Sequence, residues 1–249
     1  MKILACYSIK GGVGKTASAV NIAYHAALSG QRTLLCDLDS QGASSFYFRV
    51  RPAKKFVFKE LFSKKLRLLK NIRGSDYRRL DILPANLAFR NFDIMLHEMK
   101  KSRSRLQKLL KPLESEYDLI VLDCPPNITL LSENVFEAAD RILIPVIPTT
   151  LSERTLEQLY SFFDDNGLNV RKLMPFFSLV EYRKRLHGET IERVRKDYRR
   201  TLTSEIPYAT EIEKMGLRRK PVGTFAPSSG GAHAYERLWK EVKRKLKLK

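Results

Sequence analysis

Residues 2–16 read KILACYSIKGGVGKT, and this stretch decides the fold. Lys2–Ser8 is a mostly apolar run, the pattern of a strand buried on both faces. A glycine-rich turn follows, Lys10-Gly11-Gly12-Val13-Gly14-Lys15-Thr16, and after it a helical period over Thr16–Ser29 that Gly30 stops. Strand, glycine loop, Gly-Lys-Thr and helix in this order are the context of a phosphate-binding loop. The glycines let backbone N–H groups turn inward onto phosphate oxygens, and the helix start adds its partial positive charge. Gly11, Gly12, Val13, Gly14, Lys15, Thr16 and Ala17 are thus the expected ATP-binding segment. Within it Lys15 would reach the β- and γ-phosphates and the Thr16 hydroxyl would take a place on Mg²⁺.

Outward from the loop, apolar runs alternate with helical periods. The runs Thr33–Leu38, Leu80–Leu83, Leu119–Leu122, Arg141–Val146, Leu173–Leu179 and Val222–Phe225 read as further strands. Phe92–Leu110, Leu130–Ala139, Arg154–Asn166, Gly188–Thr203 and Ala234–Leu246 read as helices. This alternation predicts an α/β fold, a doubly wound, mostly parallel twisted sheet flanked by helices. No linker interrupts it, so residues 1–249 are expected to form a single domain. Ligands should gather at the C-terminal ends of the strands. Two acidic positions fall there, Asp37-Leu38-Asp39 and Asp123. A carboxylate at the end of an apolar strand can hold Mg²⁺, and Asp123 fits that role. Asp39 suits orienting the water that attacks the γ-phosphate.

One departure carries a resemblance. The general loop pattern has glycine five residues before Gly14; here Ile9 stands there, and a second lysine, Lys10, follows. This deviant form resembles the ParA/MinD family of ATPases, which includes the Soj-like partition proteins. The family's first switch commonly reads DLDPQGN, matched here by residues 37–43, DLDSQGA; its D-x-P-P motif is matched by Asp123-Cys124-Pro125-Pro126. Residues 141–149 (RILIPVIPT), Ile206-Pro207-Tyr208, Lys220-Pro221-Val222 and residues 229–239 (SGGAHAYERLW) extend the likeness over most of the chain. It is weakest over Arg49–Arg79 and Phe176–Arg200. The resemblance implies an ATPase that takes ATP and Mg²⁺. Lys10 would reach across an ATP-bound homodimer to the partner's nucleotide and, with Lys15 and Asp39, act catalytically. Asp39 and Asp123 would serve the metal with Thr16, Asp37 would be structural, and the adenine would lie near Pro207 and Tyr208.

Charge points to the partner. The net charge is +19, and it is unevenly spread: residues 49–115 carry 19 basic and 6 acidic side chains, residues 116–170 carry 2 and 10, and residues 171–249 carry 21 and 9. Such a field captures polyanions. Dispersed basic groups suit phosphate contacts that position without reading sequence. The expected partner is non-specific double-stranded DNA, through Arg199, Arg200, Lys214, Arg218, Arg219, Lys240 and Lys243. Related proteins place a DNA-contacting arginine shortly after the Ile-Pro pair, but by simple counting Glu211 stands there, which moves the expectation to Lys214, Arg218 and Arg219. The resemblance adds a ParB-like or other adaptor that stimulates slow hydrolysis, and a cytoplasmic, nucleoid-associated place in the cell.

A membrane-associated, MinD-like positioning ATPase is the rival reading. The tail Ala234–Lys249 is a basic amphipathic period of the kind that lies on anionic lipid. Leu238, Val242 and Leu246, at four-residue spacing, equally suit a stripe packed on the sheet. Under the rival, deleting Lys240–Lys249 should leave the fold intact. A small-molecule ligase or kinase on the same loop is a third class, and the sequence marks no second substrate pocket for it. Cys6, Cys36 and Cys124 have no close cysteine or histidine partner, which argues against disulfides or a zinc site and for a reducing compartment. The N-terminus has no secretory pattern, and no apolar run approaches the roughly 20 residues of a spanning helix.

Overall fold

A computed structural model describes residues 1–52, 65–85 and 102–248. The strands are β1 (Lys2–Cys6), β2 (Thr33–Asp37), β3 (Arg73–Gly74), β4 (Leu80–Leu83), β5 (Leu119–Asp123), β6 (Arg141–Val146), β7 (Leu173–Val180) and β8 (Glu205–Pro207). They form one sheet in the order β3-β4-β2-β5-β1-β6-β7-β8. Every pairing is parallel except β3 with β4. β2 and β5 are buried at every residue, as strands covered by helices on both faces must be.

The helices are α1 (Lys15–Leu28), α2 (Ala43–Tyr47), α3 (Lys65–Asn71), α4 (Arg105–Leu110), α5 (Leu130–Ala138), α6 (Thr150–Asp165), α7 (Arg185–Asp197), α8 (Thr210–Arg218), α9 (Val222–Phe225) and α10 (Gly230–Leu246). Two apolar clusters fill the two faces. One joins Leu106, Phe136, Phe163 and Val194 of α4–α7. The other joins Ile22 of α1, Met215 of α8, Val222 of α9 and Leu238 and Val242 of α10.

Three expectations are corrected. Val222–Phe225 is a helix, not a strand. Pro221, with ψ 144, opens the turn, and the Val222 N–H donates to Asn21 Oδ1 instead of to a strand neighbour. The sheet ends at β8, whose Pro207 sits on an outer strand, where a missing N–H is tolerated. α7 stops at Asp197, so Arg199 and Arg200 lie in a loop. Lys214 and Arg218, which fall in none of the expected helices, ride on α8, which forms because Ile212 and Met215 bury one of its faces. Of the expected helix Phe92–Leu110, residues 92–101 lie outside the described residues, as do residues 53–64 of the basic segment.

Candidate nucleotide site

The phosphate loop leaves the C-terminal end of β1, in mid-sheet, and runs into α1. Its shape requires glycine. Gly12 and Gly14 have φ of +72° and +89°, in the left-handed region that side chains disfavour. A Cβ on Gly14 would also lie 2.9 Å from Ser178 Oγ of β7. Gly14 caps α1, whose first turn holds no acidic residue, so the positive end of the helix dipole is uncompensated. Lys15 is buried, and its Nζ donates to the Lys10 carbonyl at 3.0 Å. Burial lowers its pKa, while Asp123, Cys124 and Asp39 oppose that shift.

The sheet brings the carboxylates to the same edge. Asp37 ends β2 and Asp123 ends β5, and the two are paired in register. Both are fully buried. Asp123 Oδ2 accepts from Ser44 Oγ at 2.6 Å, and Asp37 Oδ2 accepts from Ser45 N at 2.8 Å and Ser45 Oγ at 2.7 Å. Burial, then the neighbouring Asp37 charge, pushes Asp123 above the usual carboxylate range; Ser44 and Thr16 pull it back in part. Burial likewise raises Asp37, against its Ser45 hydrogen bonds.

The Oδ1 atoms of both acids are buried without a hydrogen-bond partner among the described residues. A buried carboxylate with an unpartnered oxygen, Asp123, within hydrogen-bonding reach of the Thr16 hydroxyl fits a hard divalent cation. No cluster of three or more His, Cys, Asp or Glu arranged for a metal exists among the described residues. That suits Mg²⁺, which takes one or two carboxylates and completes its shell with water and substrate phosphate. Asp39 is half-buried and bent into its own loop, its Oδ1 accepting from Gln41 N at 2.9 Å.

A profile of the AAA domain family matches residues 1–173. The chain belongs to that family, as a member of its ParA/MinD type. The sporulation initiation inhibitor protein Soj of Bacillus subtilis is 29% identical over 97% of this chain and 98% of its own length. A putative plasmid partition protein of Borrelia burgdorferi, solved with AMPPNP, superposes with a TM-score of 0.82 at 24% identity, covering 98% of this chain and 99% of that one. A Mycobacterium smegmatis structure described as cobyrinic acid a,c-diamide synthase, with ADP and magnesium, also gives 0.82 at 24% identity, over 99% and 96%. At these identities the structural likeness establishes the fold, which hosts more than one chemistry.

Other expected site residues of this ParA/MinD-type chain, Lys10, Pro207 and Tyr208, are located by the sheet order. Lys10 Nζ rests 3.4 Å from Ser152 Oγ, near the start of α6. Tyr208 follows β8 at the nucleotide edge, exposed, its hydroxyl donating to Glu213 Oε1 at 2.8 Å. β7 lies between β6 and β8, and its Ser178 touches the loop at Gly14. Pro207 and Tyr208 are therefore one strand beyond the strand that abuts the phosphate loop.

The basic candidates do not form one patch. Arg199 and Arg200 precede β8, at the sheet edge opposite the loop. Lys240 and Lys243 share that end: between them, Glu241 accepts from Thr203 N and Ser204 N just before β8. Lys240 is also paired with Glu236. Lys214 and Arg218 are exposed on α8. Arg219 is not free: its guanidinium lies 4.3 Å from the centre of the Phe46 ring and its Nε donates to the Phe46 carbonyl at 3.0 Å. Glu211 accepts from Gly231 N at 3.2 Å.

Sequence reasoning missed Ser44, Ser45 and Ser152. Ser44 and Ser152 act by contacts made across the fold, and Ser45 bonds Asp37 eight residues back, through a loop whose spacing marks nothing. The α10 stripe faces inward, with Leu238, Trp239, Val242 and Leu246 all buried. Cutting at Lys240 would remove Val242 and Leu246 from the core, contrary to what the membrane-bound reading expected of that deletion. No helix among the described residues is long and apolar enough to cross a membrane.

Proposed function

We propose that this chain, working as a single domain, is an ATP-dependent dimerisation switch. It binds duplex DNA without sequence preference and hydrolyses ATP to segregate or position DNA or a protein cargo. The observation that carries the reading is a glycine loop with two lysines beside two buried, incompletely bonded carboxylates: Lys15 lies within electrostatic reach of Asp123, and Lys10 is turned away onto Ser152. Lys15 sits at the loop's own mouth. Lys10 lies outside it on Ser152, suited to serve a nucleotide held by a second copy.

The protein's own groups divide the work. Backbone N–H groups of Gly11–Thr16 and the α1 start grip phosphates, and Lys15 offsets their charge. Thr16 and Asp123 would hold Mg²⁺, with Asp39 nearby; the ion would neutralise charge on the transferred phosphoryl group. Asp39 orients the attacking water, and Pro207 and Tyr208 border the base. Basic side chains, Lys214 and Arg218 foremost, meet DNA phosphates. A ParB-like or other adaptor accelerates slow hydrolysis and releases the DNA, and the protein cycles on the nucleoid in the cytoplasm. The α10 stripe packs on the sheet, which removes the anchor that the membrane-bound alternative assigned to it.

The test is binding to arbitrary duplex by fluorescence anisotropy, with oligomeric state by sedimentation. Mg-ATP should produce dimers and salt-sensitive binding. Lys15→Ala should lose both, and Lys10→Ala should still bind nucleotide but stay monomeric. Equal binding without nucleotide, or a need for one defined site, overturns the switch.

A further inference from the structure

α2 makes three consecutive attachments to three different parts of the molecule. Ser44 holds Asp123, Ser45 holds Asp37, and Phe46 carries the guanidinium of Arg219 on its ring and the Arg219 Nε on its carbonyl. Phe46 is half exposed, so the arginine is its main cover on that side. Arg219 is itself the residue that ends α8, at φ +51°. That left-handed conformation suits glycine and disfavours arginine. A second arginine fastens the joint: Arg49 Nη1 donates to the Arg219 carbonyl at 3.1 Å and Arg49 pairs with Asp76.

We propose that the Arg219–Phe46 clamp couples the carboxylate cradle to α8, making Arg219 a positioning residue for DNA binding and not a phosphate contact. The chain of contacts is short: a change at Asp37 or Asp123 moves Ser44 or Ser45, Phe46 is the next residue, and Arg219 hangs on it. Lys214 and Arg218 then turn with α8. The flat face of the guanidinium and its Nε are already engaged, whereas Lys214, Arg218 and Lys220 are exposed. A lysine would not serve at position 219, because an ammonium group cannot stack on the ring and donate from a planar fork. The idea rests on the switch reading above, and its test is built to fail separately.

The experiment uses the full chain with Arg219→Gly, Phe46→Leu, Phe46→Tyr and, as a contact control, Arg218→Ala. Arg219→Gly relieves the left-handed backbone, so thermal unfolding should show it folded. Two quantities are read: the ratio of duplex affinity with and without a non-hydrolysable ATP analogue and Mg²⁺, and amide exchange across Thr210–Pro221 in the same two states without DNA. In the wild type the ratio should be on the order of tenfold or more, the size of an ordinary coupling, and exchange in α8 should respond to nucleotide. Arg219→Gly and Phe46→Leu should keep nucleotide affinity, bring the ratio close to one and abolish the α8 response. Phe46→Tyr should retain both. Arg218→Ala should weaken binding in both states and lower the salt slope by about one.

An intact α8 response in Phe46→Leu overturns the clamp, as does Arg219→Gly behaving like Arg218→Ala, or a wild-type α8 that ignores nucleotide. A wild type that binds duplex equally with and without nucleotide overturns the switch reading instead, and amide exchange still decides the clamp.

Discussion

Gly14→Ala separates the shape of the phosphate loop from its charge. The substitution adds one methyl group to a residue at φ +89°. Holding a non-glycine residue in the left-handed region costs about 1–2 kcal/mol. The new Cβ would also lie 2.9 Å from Ser178 Oγ, well inside ordinary van der Waals contact. Ser178 is only 1% exposed, so its hydroxyl has no solvent to swing into, and relieving the overlap costs a further ~1–3 kcal/mol of the kind seen on overpacking a core. The expected loss is therefore about 2–5 kcal/mol. In a chain of this size each kcal/mol lowers Tm by roughly 2–4 °C. Thermal and urea unfolding without nucleotide measure this, and calorimetric titration with Mg-ATP should show affinity reduced by about tenfold or more as the loop shifts off its phosphates. Ser178→Ala divides the two contributions. In the Gly14→Ala background it should recover the steric share, about 1–3 kcal/mol, and beside the native glycine it should change little. If Gly14→Ala unfolds within about 0.5 kcal/mol of wild type, or if Ser178→Ala has the same effect in both backgrounds, the steric reasoning is wrong.

The buried imidazole of His25 should impose a pH dependence of its own. Burial pushes its pKa down to about 4, against about 6.5 in the unfolded chain. Below the higher value the unfolded state takes up a proton that the folded state refuses, so stability falls as pH drops from about 6.5 towards 4, by about 2 kcal/mol at pH 5. Asp37 and Asp123, shifted upward, act with the opposite sign. The wild-type-minus-His25→Gln difference in urea unfolding between neutral and acid pH isolates the histidine, and parallel curves would refute the assignment. Deleting Lys240–Lys249 removes Val242 and Leu246 from the core and the Glu241 carboxylate from Thr203 and Ser204. Two buried aliphatic side chains alone account for about 3–6 kcal/mol, so cooperative unfolding should be lost or Tm should drop steeply; an unchanged Tm would restore the view of the tail as a detachable lipid anchor.

Much of the sheet was legible because its signals are local. Apolar runs such as Leu119–Leu122 are too hydrophobic to lie anywhere but between two helical layers, and the glycine loop announces its strand and helix together. The misreadings share a cause. Val222–Phe225 has strand-like composition, but Pro221 and Asn21 offer its backbone a helical turn with its first N–H satisfied. α8 carries only a short apolar face, Ile212 and Met215, too brief for periodicity to distinguish from a loop. The strand, glycine turn and helix of the phosphate loop could be read in order, since they follow one another along the chain. The cradle could not. Ser44 matters because β2 and β5 are neighbours, which brings Asp123 to it, a fact of strand order that spacing does not encode. The charge count was right in sum and silent on placement, which is how Arg199 and Lys214 could be grouped although they lie at different ends of the sheet.

The pair of buried acids would let the proposed switch be lodged in so short a helix as α2. Two carboxylates in register, each with one oxygen lacking a partner among the described residues, are an expense that the folded chain tolerates only because the surrounding core over-determines their position. Neutralising a carboxylate by protonation relieves part of that cost, and the upward pKa shifts are its expression. A divalent cation held by Thr16 and Asp123 would relieve it better, since it would offset the buried negative charge directly. Cation binding and local stability at the ends of β2 and β5 are then the same free energy. The serines that hold the other oxygens must adjust to whichever arrangement prevails. A five-residue helix pinned by two such serines has no independent stability to resist that adjustment. Its geometry is set by what the acids are doing, which is the property a relay between a nucleotide and a distant surface needs.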